Sequence, residues 1–287
     1  MRLCLMIEGQ NGVTWDQWRA LAATAEEAGF EALFRSDHYM TLDDGPNKGS
    51  LDAWATINAL AALTTTLRLG TMVSPATFRH PSTLAREVVT ADHVSGGRVE
   101  LGLGAGWHEG EHLAFGFPFE TVKDRFDRYA EQLEIVHRSW ATEPFDFDGR
   151  YYRLENANPL PKPVQRPHPP LIAGGSAKPR GAALAAQWAD EYNTVYATVD
   201  ECKERRERIA EACEKVGRDP LRFSVMTHFV IDGDPADHPP GVLVGSLAEI
   251  GRRLDELEAV GVERVMLQHL EHDDLETVRL IGRELIG

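Results

Sequence analysis

The heptapeptide GWHEGEH, residues 106–112, contains residue types that could bind a metal ion and activate water. His108 and His112 flank Glu109 as in the H-E-x-x-H pattern of zinc peptidases, where two histidines bind zinc and the glutamate acts as the base. The pattern requires a helix, because a helical turn brings positions i and i+4 onto one face. Five glycines crowd this part of the chain, at positions 102, 104, 106, 110 and 116. Since each glycine inside a helix costs about 1 kcal/mol relative to alanine, we expect a poor helix here and assign no metal ligands.

Composition and charge exclude several classes of partner. The 287 residues carry a formal net charge of −15, which disfavours nucleic acid and anionic membranes because both attract basic surfaces. No apolar run approaches the roughly 20 residues of a membrane span, and the opening MRLCLMIEG lacks the features of a signal peptide, so we expect a cytoplasmic protein. Cys4, Cys202 and Cys213 have no C-x-x-C spacing, so we predict neither a disulfide framework nor a cysteine metal site.

Short apolar runs alternate with amphipathic helical segments eight times along the chain. The predicted strands cover residues 3–8, 32–36, 67–74, 98–104, 170–175, 189–196, 221–231 and 262–270. This alternation, at a length near the roughly 250 residues typical of the fold, predicts an α/β protein with a closed (β/α)8 barrel. A doubly wound sheet lacks its G-x-G-x-x-G fingerprint, since Trp107 replaces the third glycine of the nearest match. We treat residues 1–287 as one domain, with insertions near 39–50, 106–120, 141–168 and 232–245.

In such a barrel, the residues that follow each strand meet at the carboxyl-terminal mouth, where active sites lie. The second predicted strand ends at Asp37-His38, and a histidine that titrates near neutral pH suits proton transfer. The fifth ends at Gly174-Gly175-Ser176 ahead of a helix, which is typical of an anion site because glycines let backbone N–H groups approach. Each pattern also fits an ordinary loop, so the functional interpretation requires several strand ends to serve one ligand.

Four motifs occur near the ends of the predicted strands. They are SDHY (36–39), LGTMVSPATFRHP (69–81), GLGAGW (102–107) followed by Glu111, and LIAGGS (171–176). In this order they resemble the bacterial luciferase-like superfamily and, more closely, its coenzyme F420-dependent oxidoreductases. The resemblance covers nearly the whole chain. It implies a luciferase-like (β/α)8 barrel that binds a flavin or deazaflavin at its carboxyl-terminal mouth, with a cis peptide between Met72 and Val73 behind the cofactor ring.

The same resemblance implies roles for individual positions. His38 matches a catalytic proton donor or acceptor, Trp107 and His108 would line the substrate pocket, and Glu111 matches the glutamate of a GWxxxE pattern. The implied cofactor-binding residues are Asp37, Met72, Val73, Gly104, Ala105, Gly106, Ala173, Gly174 and Gly175. Trp107 stands where the sugar-phosphate dehydrogenases of this family have a catalytic glutamate, which argues against a sugar-phosphate substrate.

These observations predict an oxidoreductase that transfers a hydride between coenzyme F420 and a small organic substrate, and the family implies a homodimer. Arg79 and Arg180 are possible partners of the cofactor's anionic tail. One alternative is an FMN-dependent monooxygenase on the same scaffold, because reduced FMN activates oxygen readily and a reduced deazaflavin does not. Others are a non-enzymatic flavin-binding protein and a zinc hydrolase that uses His108, His112 and a third ligand such as His38.

Overall fold

In the computed structural model, the chain folds into a closed barrel of parallel strands that is enclosed by helices. The structure describes residues 1–43, 45–141 and 143–287. In chain order the elements are β1 (Arg2–Ile7), α1 (Trp15–Glu27), β2 (Ala32–Arg35), α2 (Ala53–Leu63), β3 (Arg68–Thr71), β4 (Ser74–Pro75), α3 (Pro81–Ser95), β5 (Val99–Gly104), α4 (Glu109–Phe115), α5 (Val122–Ala141), β6 (Phe145–Asp148), β7 (Arg153–Ala157), β8 (Leu171–Gly174), α6 (Pro179–Trp188), β9 (Glu191–Val195), α7 (Val199–Lys215), β10 (Arg222–Ile231), β11 (Leu243–Gly245), α8 (Leu247–Ala259), β12 (Arg264–Gln268) and α9 (Leu275–Ile281).

Eight of the described strands form the barrel, in the order β1, β2, β3, β5, β8, β9, β10 and β12. All eight pair in parallel, and β12 pairs back with β1 in a register that sets Arg2 beside Arg264. The predicted (β/α)8 barrel is therefore confirmed. The short strand β11, which pairs with β10, lies within the predicted 232–245 insertion and was not foreseen. Asp44 and Thr142 fall in two other predicted insertions and lie outside the described residues.

Helix boundaries follow local capping signals. Thr14 and Gln17 form a capping box at the start of α1, and Ser246 and Glu249 form another at the start of α8. Each box satisfies backbone N–H groups that the first helical turn leaves without partners. Pro81 begins α3, a position where no backbone donor is needed. These three helices thus start where the sequence supplies a suitable first residue, and their starts fix where the preceding loops end.

The segment that contains GWHEGEH forms the short helix α4, so the prediction of a poor helix was wrong. Gly106 precedes the helix with a φ of +80°, and Gly116 ends it with a φ of +72°. Gly110 is the one glycine within its bounds. His108 caps the amino-terminal end by accepting the Glu111 N–H at Nδ1, over 3.2 Å. The glycines therefore mark the ends of this helix more than they weaken it.

Apolar side chains fill the middle of the barrel interior. They are Cys4, Met6, Ala32, Phe34, Met72, Ile172, Met226 and Met266. A second apolar layer joins the outer face of the strands to the helices and includes the fully buried Trp18 and Trp54. The two layers give the strand ends a rigid base.

In the part of the chain that the structure describes, no helix has both the length and the apolar character needed to cross a membrane.

At its amino-terminal end the barrel interior is filled by a buried ion cluster. Arg264 is 1% exposed and donates from Nη2 to Glu100 Oε2 at 2.5 Å and from Nε to Glu191 Oε1 at 3.0 Å. Burial raises the pKa of Glu100, but the charge of Arg264 outweighs this effect and lowers the pKa to about 2. Burial raises the pKa of Glu191, and Arg264 offsets that rise only in part. Arg264 is the buried counter-charge that both carboxyl groups share, while the partly exposed Arg68 also donates to Glu100 Oε1 at 2.5 Å.

We expect Arg264→Ala to be strongly destabilising, because it removes the buried counter-charge of Glu100 and Glu191 and leaves them only the partly exposed Arg68 and the more distant Arg222. Removing one partner of a buried ion pair costs about 3–5 kcal/mol. Urea unfolding at pH 7 should show a loss of that order, or no folded protein. Arg252→Ala, on the exposed face of α8, should change the free energy of unfolding by less than about 0.5 kcal/mol. A loss below about 1 kcal/mol for Arg264→Ala would contradict the role assigned to the cluster.

Candidate active site at the barrel mouth

A cavity of about 770 Å³ opens at the carboxyl-terminal ends of the strands. It brings together most of the residues that the sequence singles out. Those that line it are His38, Met72, Val73, Gly104, Ala105, Gly106, Trp107, Gly174 and Gly175. Among the described residues predicted for the site, Asp37, Ala173 and His108 do not line the cavity. Its volume lies in the range of roughly 300–1,000 Å³ that small-molecule and cofactor sites occupy.

The floor of the cavity is a bulge after β3, where Met72 and Val73 are joined by a cis peptide, as the resemblance implied. Val73 fits because β5 supplies glycines beside it. A Cβ on Gly102 would lie 2.9 Å from Val73 Cγ1, and a Cβ on Gly104 would lie 2.8 Å from Val73 Cγ2. Both distances are too short for a side chain to be accepted without displacing the valine. The glycines therefore let Val73 form an apolar platform at the base of the cavity.

Asp37 is buried beside this floor and does not face the cavity. It is 2% exposed, and its Oδ2 accepts hydrogen bonds from Ser74 Oγ and Arg79 Nη1, both at 2.6 Å. Arg79 also pairs with Asp52 Oδ2 at 2.7 Å. Its guanidinium is thus occupied inside the protein and is not available for the cofactor tail. The Asp37–Arg79 pair ties the loop after β2 to the segment that follows the bulge.

His38 lines the cavity, and a buried carboxylate holds its ring. His38 Nδ1 lies 2.8 Å from Oε2 of the fully buried Glu111, whose Oε1 accepts the backbone N–H of Tyr39. Because a carboxylate only accepts, Nδ1 carries the proton in the neutral ring and Nε2 has the lone pair. Burial raises the pKa of Glu111, but the hydrogen bonds from His38 and Tyr39 lower this pKa by more. A neutral His38 is therefore oriented to accept a proton at Nε2.

The two histidines of the zinc-like pattern serve the structure of α4. His112 Nδ1 donates to the His108 carbonyl at 2.7 Å, and His112 Nε2 accepts from Thr77 Oγ1 at 2.7 Å. The Nδ1 of His108 is used by the helix cap. Within residues 1–43, 45–141 and 143–287, no three His, Cys, Asp or Glu side chains are grouped so that they could hold a metal ion. The zinc-hydrolase alternative thus gains no ligand set from the described residues.

Backbone geometry shapes the β8 side of the cavity. Gly175 lines this side with a φ of +144°, a conformation that favours glycine. α6 begins at Pro179 with neither a side-chain cap nor an acidic residue in its first turn, so its amino-terminal end is suited to an anion. Ala173 is 2% exposed inside β8 and supports the turn from within. Arg180 pairs with Asp127, so its guanidinium is already neutralised by a carboxylate.

Asn193 is a buried polar residue of the cavity wall that was not predicted from the sequence. It is 1% exposed, and its Nδ2 donates to Ser224 Oγ at 2.9 Å. Its Oδ1 has no hydrogen-bond partner in the described part of the chain. Ser224 donates in turn to Glu191 Oε1 at 2.6 Å, which links the cavity to the ion cluster below. Since buried oxygens without a donor are rare, Asn193 Oδ1 is a candidate acceptor for a bound ligand.

Two more polar residues of the cavity, Glu8 and Tyr196, were also missed. Glu8 follows β1 and Tyr196 follows β9, so both stand at the ends of predicted strands. The rule that singled out His38, namely that residues at the strand ends meet at the mouth, applies equally to them. They carried no motif, and position alone was not enough to select them.

Comparison with known proteins gives a consistent family. A sequence model described as luciferase-like monooxygenase matches residues 4–239. The FMNH2-dependent dimethylsulfone monooxygenase of Pseudomonas putida is 28% identical over 243 residues, which are 85% of this chain and 65% of that protein. An F420-dependent glucose-6-phosphate dehydrogenase of Nakamurella multipartita is 34% identical over 176 residues, which are 61% of this chain and 50% of that protein. The chain thus spans half to two thirds of the length of these relatives.

A solved structure shows the same fold over the whole chain. An F420-dependent secondary alcohol dehydrogenase, in complex with an F420-acetone adduct, superposes with a TM-score of 0.86 and 19% sequence identity. The superposition covers 99% of this chain and 98% of that one. The likeness at this identity concerns the barrel, and the chemistry of the mouth must be argued from the residues present here.

We expect Glu111→Gln to destabilise the fold by about 2 kcal/mol at pH 7, because hydrogen bonds to charged groups contribute roughly 1.5–3 kcal/mol. The pKa of Glu111 is lowered by folding, so its carboxylate stabilises the protein above its ordinary pKa of about 4.3 and this contribution is lost as the pH falls further. Urea unfolding should therefore show a difference between wild type and variant that shrinks below about pH 4.

The matched control is Glu109→Gln, on the same helix but exposed, which should change the free energy of unfolding by less than about 0.5 kcal/mol. A difference for Glu111→Gln that does not shrink below about pH 4 would contradict the assigned role of this carboxylate.

Proposed function

This chain belongs to the luciferase-like monooxygenase family, and we propose that it is an oxidoreductase that uses a bound deazaflavin, coenzyme F420, to exchange a hydride with a small organic substrate. The observation that carries the proposal is the position of His38, held by the buried Glu111, in the same cavity as the Val73 platform. This places a proton-transfer group beside an apolar surface at the mouth of a barrel. Relatives named for F420-dependent dehydrogenation support the choice of cofactor.

The residues of the cavity fit a tricyclic cofactor with an anionic tail. The apolar side chain of Val73 lines the cavity, and the absence of a side chain on Gly104 leaves room for it. Such an apolar surface suits one face of a flat ring. The uncapped amino-terminal end of α6 suits a phosphate group. Among the described residues, no donor reaches Asn193 Oδ1. This oxygen could therefore accept a hydrogen bond from an N–H group of the cofactor ring. We infer that the cofactor lies across the mouth, from the β8 side to the platform.

The bound deazaflavin would supply or accept the hydride. His38 supplies the matching proton transfer. With its proton on Nδ1, the neutral imidazole takes a proton at Nε2 from a substrate hydroxyl, and Glu111 stabilises the imidazolium that results. In the reverse direction the imidazolium donates from Nε2 to a developing alkoxide. Met72, Val73 and Trp107 form apolar parts of the lining, and this limits the access of water.

A second candidate is an FMN-dependent monooxygenase in the same cavity. It is favoured by the similarity to the FMNH2-dependent enzyme of Pseudomonas putida, which extends over 85% of this chain. The proton-handling pair and the platform would serve either cofactor. The two candidates differ in the reaction that follows, since reduced FMN activates oxygen, and so cofactor binding is the experiment that separates them.

Titration with oxidised F420 and with FMN, followed by tryptophan fluorescence, is the first test, because Trp107 lines the cavity. We expect F420 to bind at least about tenfold more tightly than FMN. Gly104→Ala should weaken binding, because its Cβ would lie 2.8 Å from Val73 Cγ2 and such overpacking costs about 1–3 kcal/mol. Gly251→Ala, where the new Cβ meets Leu285 at 3.5 Å, is the control and should leave binding unchanged. Tighter binding of FMN would favour the monooxygenase, and binding of neither would refute both.

Steady-state kinetics on a panel of alcohols and enones tests the role of His38. We expect His38→Ala to lower kcat by about 100-fold or more, since general acid–base catalysis contributes roughly 10²–10⁴-fold. Glu111→Gln should lower kcat by a smaller factor, because the imidazole remains but loses its orientation and its counter-charge. Cofactor affinity should stay close to wild type in both variants. If His38→Ala retains kcat, the proton donor or acceptor is another group.

A further inference from the structure

Glu8 lines the cavity within a belt of hydrogen-bonded polar side chains. Gln268 Nε2 donates to Glu8 Oε1 at 2.5 Å, and Gln10 Nε2 donates to Glu8 Oε2 at 2.7 Å. Tyr196 donates its hydroxyl to Gln268 Oε1, and Ser36 donates its hydroxyl to Gln10 Oε1. All four donors point along the belt toward Glu8. Glu8 is therefore the terminal acceptor of this belt.

This direction of the hydrogen bonds suits a carboxylate, which only accepts hydrogen bonds. Each Glu8 oxygen accepts an amide N–H and retains a further lone pair. The described residues that line the cavity include no lysine or arginine. Within the described ranges of the chain, Glu8 also forms no ion pair. The Glu8 carboxylate is thus held at the cavity wall by two amide N–H groups. The buried guanidinium of Arg35 interacts with it electrostatically, but the described residues form no ion pair with Glu8.

A ligand that fills the cavity must replace the water around Glu8. A carboxylate that loses water without gaining a counter-charge or a hydrogen-bond donor is strongly destabilised. A cationic group on the ligand removes this penalty, because it supplies both the charge and the N–H donors that the free lone pairs can accept. A phosphate or carboxylate in the same place adds repulsion between like charges.

The anionic tail of the cofactor does not compete for this place. The proposed anion site lies after β8, and Glu8 follows β1. From β1 to β8 there are four steps around the barrel in one direction, through β2, β3 and β5. There are also four in the other direction, through β12, β10 and β9. The two sites therefore lie on opposite sides of the mouth. The β8 side suits the negative charge of the cofactor, and the β1 side is left for the substrate.

We propose that Glu8 selects the substrate of this site and that the substrate is a small organic cation, with an ammonium group directed at the β1 side of the cavity. The proposal rests on the proposed function, since it concerns the molecule that shares the cavity with the cofactor. It separates this chain from the glucose-6-phosphate dehydrogenases that it resembles in sequence, because their substrate is an anion.

The test uses three probes of one shape and different charge: cyclohexylmethylammonium, cyclohexylmethanol and cyclohexanecarboxylate. Each is titrated into the full-length protein, with and without saturating F420 or FMN, at pH 7 and 0.15 M salt, with tryptophan fluorescence as the readout. The variants are Glu8→Gln and Glu109→Gln. Both remove one negative charge, but Glu109 is exposed on α4 and does not line the cavity, so it controls for the overall charge of −15.

We expect the wild type and Glu109→Gln to bind the ammonium probe at least about tenfold more tightly than the carboxylate, a ratio typical of one charged hydrogen bond. Glu8→Gln should lose most of this preference while its affinity for the alcohol changes by less than about threefold. Equal binding of the ammonium and the carboxylate by wild type would overturn the proposal, and so would an unchanged preference in Glu8→Gln.

Failure of this proposal and failure of the proposed function give different results. If neither F420 nor FMN binds but the probes retain this order, the oxidoreductase proposal fails and recognition by Glu8 is supported. If a cofactor binds and the order is absent, the oxidoreductase proposal stands and recognition by Glu8 fails. The wild-type comparison requires no variant, so the proposal remains testable even if Glu8→Gln does not fold.

Discussion

The contact of Arg264 with Glu100 and Glu191 sets the conditions for the rest of this barrel. The interior of a (β/α)8 barrel must be filled, and here three charged side chains fill one end and pair with one another. The apolar layer above them completes the filling. The cavity of about 770 Å³ therefore lies at the carboxyl-terminal end, where the loops can supply chemistry. Ser224 and Asn193 carry hydrogen bonds from the ion cluster to the wall of that space.

Strand β5 runs from the filled amino-terminal end of the barrel interior to the cavity at the carboxyl-terminal end. Glu100, Gly102 and Gly104 of β5 are two residues apart, and successive alternate residues face the same side of a strand. Glu100 contributes to the ion cluster, while the two glycines leave the room into which Val73 packs. Along one face of β5, a large charged residue is thus followed by glycines. The barrel is therefore filled at Glu100, while at Gly102 and Gly104 there is room for Val73 below the cavity.

The fold, and the residues that meet in the cavity at the barrel mouth, were largely predictable from the sequence, and the contacts that hold those residues in place were not. Eight alternations of strand and helix, and motifs at strand ends, indicate which residues meet at the mouth. They do not show that Glu111 would reach His38, since that contact depends on how the segment after β5 folds back over β2. Asp37 was misplaced for the same reason: adjacent residues after a strand point to different sides, and Arg79 draws Asp37 inward. The helix α4 was not predicted because, of the five glycines near it, Gly110 alone lies within its bounds, and glycines beside a helix do not weaken it.

The contact between His38 and Glu111 joins a barrel strand to an insertion across 73 positions of sequence. The two residues lie on parts of the chain that evolve under different constraints, since strand ends are held by packing and loops vary freely. Grafting a different loop onto this barrel would thus remove the orientation of the histidine while leaving the histidine itself in place. In protein engineering, the segment from Gly106 to Gly116 is better kept together with His38 than treated as an exchangeable loop.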